Sequence, residues 1–161
     1  NCELTQKNIR RIKSHGYYNE KYNSEILGGN FRIDTIQAAV LNRIMVNFNL
    51  LLKLRKDNAF FYEENINNEK IIKPTILSGH TWNQYCLIVD DNKRFKKFLE
   101  NKKIQTNIYY PFPLHKNQVF GKDLTLINTE QLCSKIIAIP IYPGIEKCNL
   151  EKIVEVINSY E

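Results

Sequence analysis

Residues 81–100, TWNQYCLIVDDNKRFKKFLE, decide the fold. Thr81 to Val89 is rich in aromatic and β-branched residues, which suit a pleated, half-buried surface, and reads as a strand. Asp90-Asp91-Asn92 supply a turn and a helix cap. Phe95, Phe98 and Leu99 then fall on one face of a helix over about 92–102. A strand that runs directly into a one-faced helix implies a small sheet covered by helices. Reading onward, Ile104 to Tyr110 is expected as a second strand, stopped by Pro111 and Pro113. Residues 111–127 are irregular, and Asn128, with Gln131 three residues on, is expected to cap a helix through Ile137. Ile136 to Ile141 reads as a short buried strand that Pro140 confines to an edge or an end. Asn149 is expected to cap a last helix that turns Leu150, Ile153, Val154 and Ile157 inward. The tail from about 80 to 160 is therefore β-α-β-loop-α-β-α, an α+β arrangement.

Upstream, Thr35 to about Asn65 carries Ile36, Val40, Ile44, Phe48, Leu51 and Leu52 at helical spacing, widened by Leu41 and Met45. Asp34 is a good N-cap, and Gln37 stands at the capping-box position. The helix either runs unbroken or bends near Asn47–Asn49, and one this long in a small protein connects two bodies or lies at an interface. Residues 3–14 read as a short basic helix closed by His15-Gly16. Residues 17–29, with Tyr17, Tyr18 and Tyr22, read as loop, and Ile71-Ile72 with Pro74 as an extended segment.

Composition narrows the class. A chain of 161 residues is about one domain and is long enough to bury a core without staples. With 43% hydrophobic and 25% charged residues it is globular, and no apolar run nears the roughly 18 residues of a membrane span. Asn1-Cys2-Glu3-Leu4-Thr5 is polar, unlike a signal peptide, and without an initial Met the chain is expected to be a piece of something longer. Cys2, Cys86, Cys133 and Cys148 lack metal-type spacing and are expected as free thiols in a reducing cytoplasm. The net charge of +6 suits an anionic partner, but the cations are scattered, which disfavours nucleic acid. His15 and His80 have no acid at ligand spacing, so no metal site is expected. No Ser-His-Asp, P-loop or GxGxxG pattern occurs.

Two stretches could carry chemistry. In GGNFRID, residues 28–34, Asn30 and Arg32 offer donors beside a helix N-terminus, and Gly28-Gly29 permit close backbone approach. That combination can hold a phosphate. Local chemistry favours the other reading, a loop with a salt-bridged Arg, since Asp34 puts negative charge at the same helix end. In YYPFPLH, residues 109–115, two prolines stiffen a loop bearing Tyr109, Tyr110 and His115, which is either a binding loop or a lid on the core.

In order, IKSHG (12–16), GGNFRIDTIQAAVL (28–41), TWNQYCLIV (81–89), TNIYYPFPLH (106–115) and IIAIPIYPGI (136–145) resemble the C-terminal half of the DegT/DnrJ/EryC1/StrS sugar aminotransferases. These are pyridoxal-phosphate enzymes of the aspartate aminotransferase fold type, acting as homodimers. The resemblance implies an α/β fold in which 1–34 is a remnant of the large cofactor domain, 35–68 a long connecting helix, and 69–161 a small C-terminal α+β domain, with most of the cofactor domain missing. It implies transfer of an amino group, usually from glutamate, onto a nucleotide-linked keto sugar for lipopolysaccharide or other surface glycans. Asn30 would reach toward the cofactor phosphate in a partner subunit, with Arg32 nearby. Tyr109, Tyr110 and His115 would border the substrate pocket. Many members carry His where this chain has Tyr109, which keeps a polar contact but puts a proton-transfer role in doubt. The family's Schiff-base lysine lies N-terminal to Asn1, so this chain alone is expected to bind no cofactor and to be inactive, with no catalytic residue of its own. The alternative is a non-catalytic dimerisation or binding module that retains the fold.

Overall fold

The computed structural model describes residues 2–17, 22–120 and 124–161; Tyr18 lies outside them. The chain forms two compact units, Asn1–Phe48 and Asn49–Glu161. Among the described residues, every buried hydrophobic side chain lies between Ala59 and Ile157, in the second unit.

The first unit holds α1 (Glu3–Ile12) and α2 (Thr35–Met45). Asp34 caps α2 as its sequence position indicates: Oδ1 accepts from the Ile36 N–H at 2.8 Å, and Gln37 Oε1 accepts from the Asp34 N–H at 3.4 Å. The long apolar run does not form one helix. It stops at Met45 and resumes as α3 (Phe48–Asn65), so the bend left open near Asn47 is a break.

In the second unit, β1 (Tyr85–Ile88) pairs antiparallel with β2 (Ile136–Ile139), in register Tyr85↔Ile139 and Leu87↔Ile137. Single bridges extend the ladder on both sides, Ile72↔Ile88 and Asn107↔Ala138. The strand expected over 104–110 is thus reduced to one bridge. Asn107 Oδ1 takes the Ile108 N–H at 3.1 Å, and the prolines that follow carry no N–H for a ladder.

Strand period and helical period bring the core together. Tyr85 and Leu87 alternate inward from β1 and meet Ile137 and Ile139. α4 (Asn92–Asn101) buries Phe95 and Leu99, and α6 (Lys147–Asn158) buries Leu150, Ile153, Val154 and Ile157, the face its spacing predicts. Each such side chain contributes about 1.5–3 kcal/mol by leaving water. Asp91 Oδ1 caps α4 through the Lys93 and Arg94 N–H groups at 2.9 and 3.0 Å. Asn92, expected from sequence only as part of the turn and cap, is buried and donates Nδ2 to the Cys133 and Ile136 carbonyls, each at 2.9 Å. It ties α4 to the junction between α5 (Ile127–Lys135) and β2.

Two expected caps are displaced. α5 begins at Ile127, so Asn128 lies inside it, and the Glu130 carboxylate satisfies the Leu126 N–H at 3.0 Å from within the helix. α6 begins at Lys147, ahead of Asn149, because Gly144 at φ 86° has already turned the chain. All four cysteines are free thiols. Among the described residues no single helix is long and apolar enough to cross a membrane.

Candidate functional site

The GGNFRID stretch is built onto the end of α1. His15 and Gly16 take left-handed conformations, φ 62° and 77°, and turn the chain back after the helix. Residues 28–31 then run alongside: the Gly29 N–H donates to the Ile12 carbonyl at 2.9 Å, the His15 N–H to the Gly29 carbonyl at 3.0 Å, and the Phe31 N–H to the Lys13 carbonyl at 3.1 Å. A Cβ at Gly28 would collide with the Gly16 nitrogen. The close approach permitted by Gly28 is therefore to the chain's own backbone rather than to a ligand, which corrects the role read for it from sequence.

The consequence is a fixed base for Asn30, bridged to Ser14. Arg32 Nε donates to Asn30 Oδ1 at 3.2 Å, and both side chains are exposed. The bond uses the amide oxygen, so Asn30 Nδ2 and the terminal guanidinium nitrogens remain as donors. A guanidinium beside a carboxamide N–H suits a phosphate, whose oxygens are strong acceptors. The α2 N-terminus lends less, because Asp34 already occupies its Ile36 N–H.

The YYPFPLH loop is anchored at its far end. A 3₁₀ turn, Leu114–Lys116, delivers His115 inward. Its side chain is 9% exposed, and Nε2 lies 3.0 Å from Glu130 Oε1. The same oxygen accepts from the Leu126 N–H at 3.0 Å and faces Lys116 Nζ at 3.6 Å. The His115 hydrogen bond, followed by the Leu126 N–H, holds the Glu130 carboxyl below its ordinary range. His115 is thus engaged within the chain, as a tie between the loop and α5. Glu130 lies 15 residues from His115, and no local spacing signals the pair.

At the loop's other end the two tyrosine rings meet edge to face, with centroids 6.2 Å apart. Tyr109 lines a cleft that also receives Arg55 from α3. Tyr110 lines a separate apolar hollow with Phe112, Pro113 and Leu114 and is 75% exposed. Asn30 and Arg32 belong to the first compact unit, and Tyr109, Tyr110 and His115 to the second.

Comparison with known proteins identifies the family and the fold. The sequence profile described as the DegT/DnrJ/EryC1/StrS aminotransferase family matches residues 1–158. A curated dTDP-3-amino-3,6-dideoxy-alpha-D-galactopyranose transaminase from Aneurinibacillus thermoaerophilus is 29% identical over 163 residues, covering 99% of this chain and 44% of that protein. The crystal structure of a DegT DnrJ EryC1 StrS aminotransferase from Brucella abortus superposes with a TM-score of 0.86 at 28% identity, covering 98% of this chain and 43% of that one. A Bacillus subtilis structure, NtdA with bound cofactor PMP, superposes with a TM-score of 0.79 at 25% identity, covering 97% and 39%. The chain therefore spans less than half the length of these relatives.

Proposed function

The chain belongs to the DegT/DnrJ/EryC1/StrS aminotransferase family, and from that premise we propose that it is the C-terminal part of a pyridoxal-phosphate-dependent sugar aminotransferase. Its substrate is a nucleotide-linked keto sugar, its amino donor is glutamate, and its place is the cytoplasmic synthesis of lipopolysaccharide or another surface glycan. The observation that carries the reading is the family match across residues 1–158, joined to a fold likeness at 28% identity.

In this reading Asn30 and Arg32 hold the phosphate of the cofactor in a second copy's site. The donor set supports it, since both side chains keep N–H groups free after bonding each other. When bound, pyridoxal phosphate supplies the electron sink for amino transfer. Tyr109 and Tyr110 contact the sugar substrate, and His115 contributes by holding their loop against Glu130. Residues 1–34 continue the cofactor domain, 35–68 connect, and 69–161 form the small domain. The covalent lysine comes from the preceding part of the protein, so the 161 residues alone do not transaminate.

A second reading is a non-catalytic dimerisation module. It is favoured by the apolar surface of α2, where Ile36 is 76% and Met45 58% exposed. Both readings predict a homodimer, and the cofactor separates them. The deciding experiment extends the coding sequence upstream of Asn1 and assays the longer protein with pyridoxal phosphate, glutamate and nucleotide-linked keto sugars. A cofactor-dependent amino sugar, detected by mass, is expected. An upstream sequence that encodes no cofactor domain would sink the enzymatic reading.

A further inference from the structure

The cleft beside Tyr109 holds a cation that neither sequence motif accounts for. The cleft has a volume of about 400 Å³ and lies wholly within the second unit. Arg55, Asn83 and Gln84 line one part of it, Gln105, Asn107 and Tyr109 another, and residues 138–142 complete it.

Arg55 is half-buried, and the backbone sets its position. Its Nη1 donates to the Trp82 carbonyl at 3.2 Å and to the Asn83 carbonyl at 3.4 Å. Trp82 presents its carbonyl from an uncommon backbone conformation, φ 53°, which costs on the order of 1–3 kcal/mol in a non-glycine residue. Its surroundings hold it there. The Trp82 N–H donates to His80 Nδ1 at 2.9 Å, the two rings lie 4.2 Å apart, and the indole is buried. Two carbonyls thus engage a single guanidinium nitrogen. Arg carries five N–H donors in a rigid plane, so Nε and Nη2 are left without a partner among the described residues.

Among the described residues no Asp or Glu lines the cleft, so nothing in its walls neutralises the charge. The polar neighbours are neutral side chains: four carboxamides, Thr106, Tyr109 and Tyr142. A partly desolvated guanidinium attracts an anion more strongly than one in open water, and its fork matches two oxygens of one acceptor group. We propose that this cleft is an oxyanion subsite, in which Arg55 holds a phosphate or carboxylate and the carboxamides and Tyr109 bind the atoms attached to it. The subsite shares Tyr109 with the substrate contacts proposed above but uses neither Asn30 nor Arg32 and needs no bound cofactor, so anion binding in the cleft is read separately from amino transfer.

The test is an amide-resolved NMR titration of the 161-residue chain with sodium pyrophosphate and, separately, sodium glutarate, at ionic strength held constant with chloride. Saturable shifts confined to residues 83–84 and 105–109 are expected with at least one probe. Saturation by pyrophosphate alone identifies a phosphate ligand, by glutarate alone a carboxylate, and by both the shared oxyanion chemistry. Arg55→Lys keeps the charge but loses the fork, and should weaken binding roughly tenfold, the equivalent of one charge-assisted hydrogen bond. Because Arg55 also holds two carbonyls, Gln105→Ala and Asn107→Ala provide variants that leave that clamp intact, and each should weaken binding about threefold or more. Shifts that never saturate, that spread over the exposed lysines, or that persist unchanged in all three variants would overturn the proposal.

Discussion

Glu130 shows how much one carboxylate oxygen can organise. It receives the His115 ring, the Leu126 N–H and the Lys116 ammonium, and so joins the 109–116 loop to the start of α5. Because the folded state lowers its pKa, the deprotonated form is the one the fold favours. The contribution is complete above the ordinary carboxyl value of 4.5 and is lost as the pH falls through the depressed folded value. Glu130→Gln should leave the core intact, speed amide exchange across residues 109–116 and flatten the acid limb of the stability curve. Exchange rates and an acid titration followed by circular dichroism measure both effects. Unchanged loop protection in the variant would show that the tie holds nothing. The pair was not legible in sequence. His115 stood out through its proline-rich setting, whereas no motif singled out Glu130, and only folding brings the two together.

At the scale of elements, α4 is the most completely specified by sequence. Asp91, the inward Phe95 and Leu99, and the helix end near 102 all stand where local rules put them. Its C-terminus departs from those rules. Lys103 adopts φ 62° and donates its N–H to the Glu100 carbonyl at 2.9 Å, while the Ile104 N–H reaches the Leu99 carbonyl at 2.9 Å. This is a Schellman-type closure with lysine at the position that glycine usually fills. Left-handed backbone costs a non-glycine residue about 1–2 kcal/mol, partly offset because glycine loses more entropy on folding. Lys103→Gly should therefore stabilise the protein by about 0.5–1 kcal/mol, visible as a higher urea midpoint at unchanged slope. A lower midpoint would mean that the lysine side chain contributes more than its backbone loses. The lesson from α5 and α6 is similar. Asn128 and Asn149 satisfy the pattern for a cap, yet a carboxylate in one case and a glycine turn in the other start the helix earlier.

For the whole molecule, the uneven distribution of the core is the leading fact. Among its described residues the first unit contributes no buried hydrophobic side chain, and α2 leaves Ile36, Val40, Leu41, Ile44 and Met45 exposed. Residues 49–161 expressed by themselves should fold, with a melting midpoint within about 4 °C of the parent chain, roughly 1 kcal/mol for a domain of this size. Loss of cooperative melting in the shortened chain would show that residues 1–48 support the core.

What the sequence determined by itself was the order and type of most elements, their inward faces and the family. The elements and their inward faces follow from near-neighbour chemistry: side-chain periods of 2 and 3.6, cap residues, and glycine and proline at turns; the family follows from the order and wording of the motifs across residues 1–158. Tertiary structure alone decided three things: that Gly28 packs against the backbone at the end of α1, that His115 is held by Glu130, and that Arg55 shares a cleft with Tyr109. Each joins residues distant in the chain, and such contacts depend on how elements pack together, which no local period encodes.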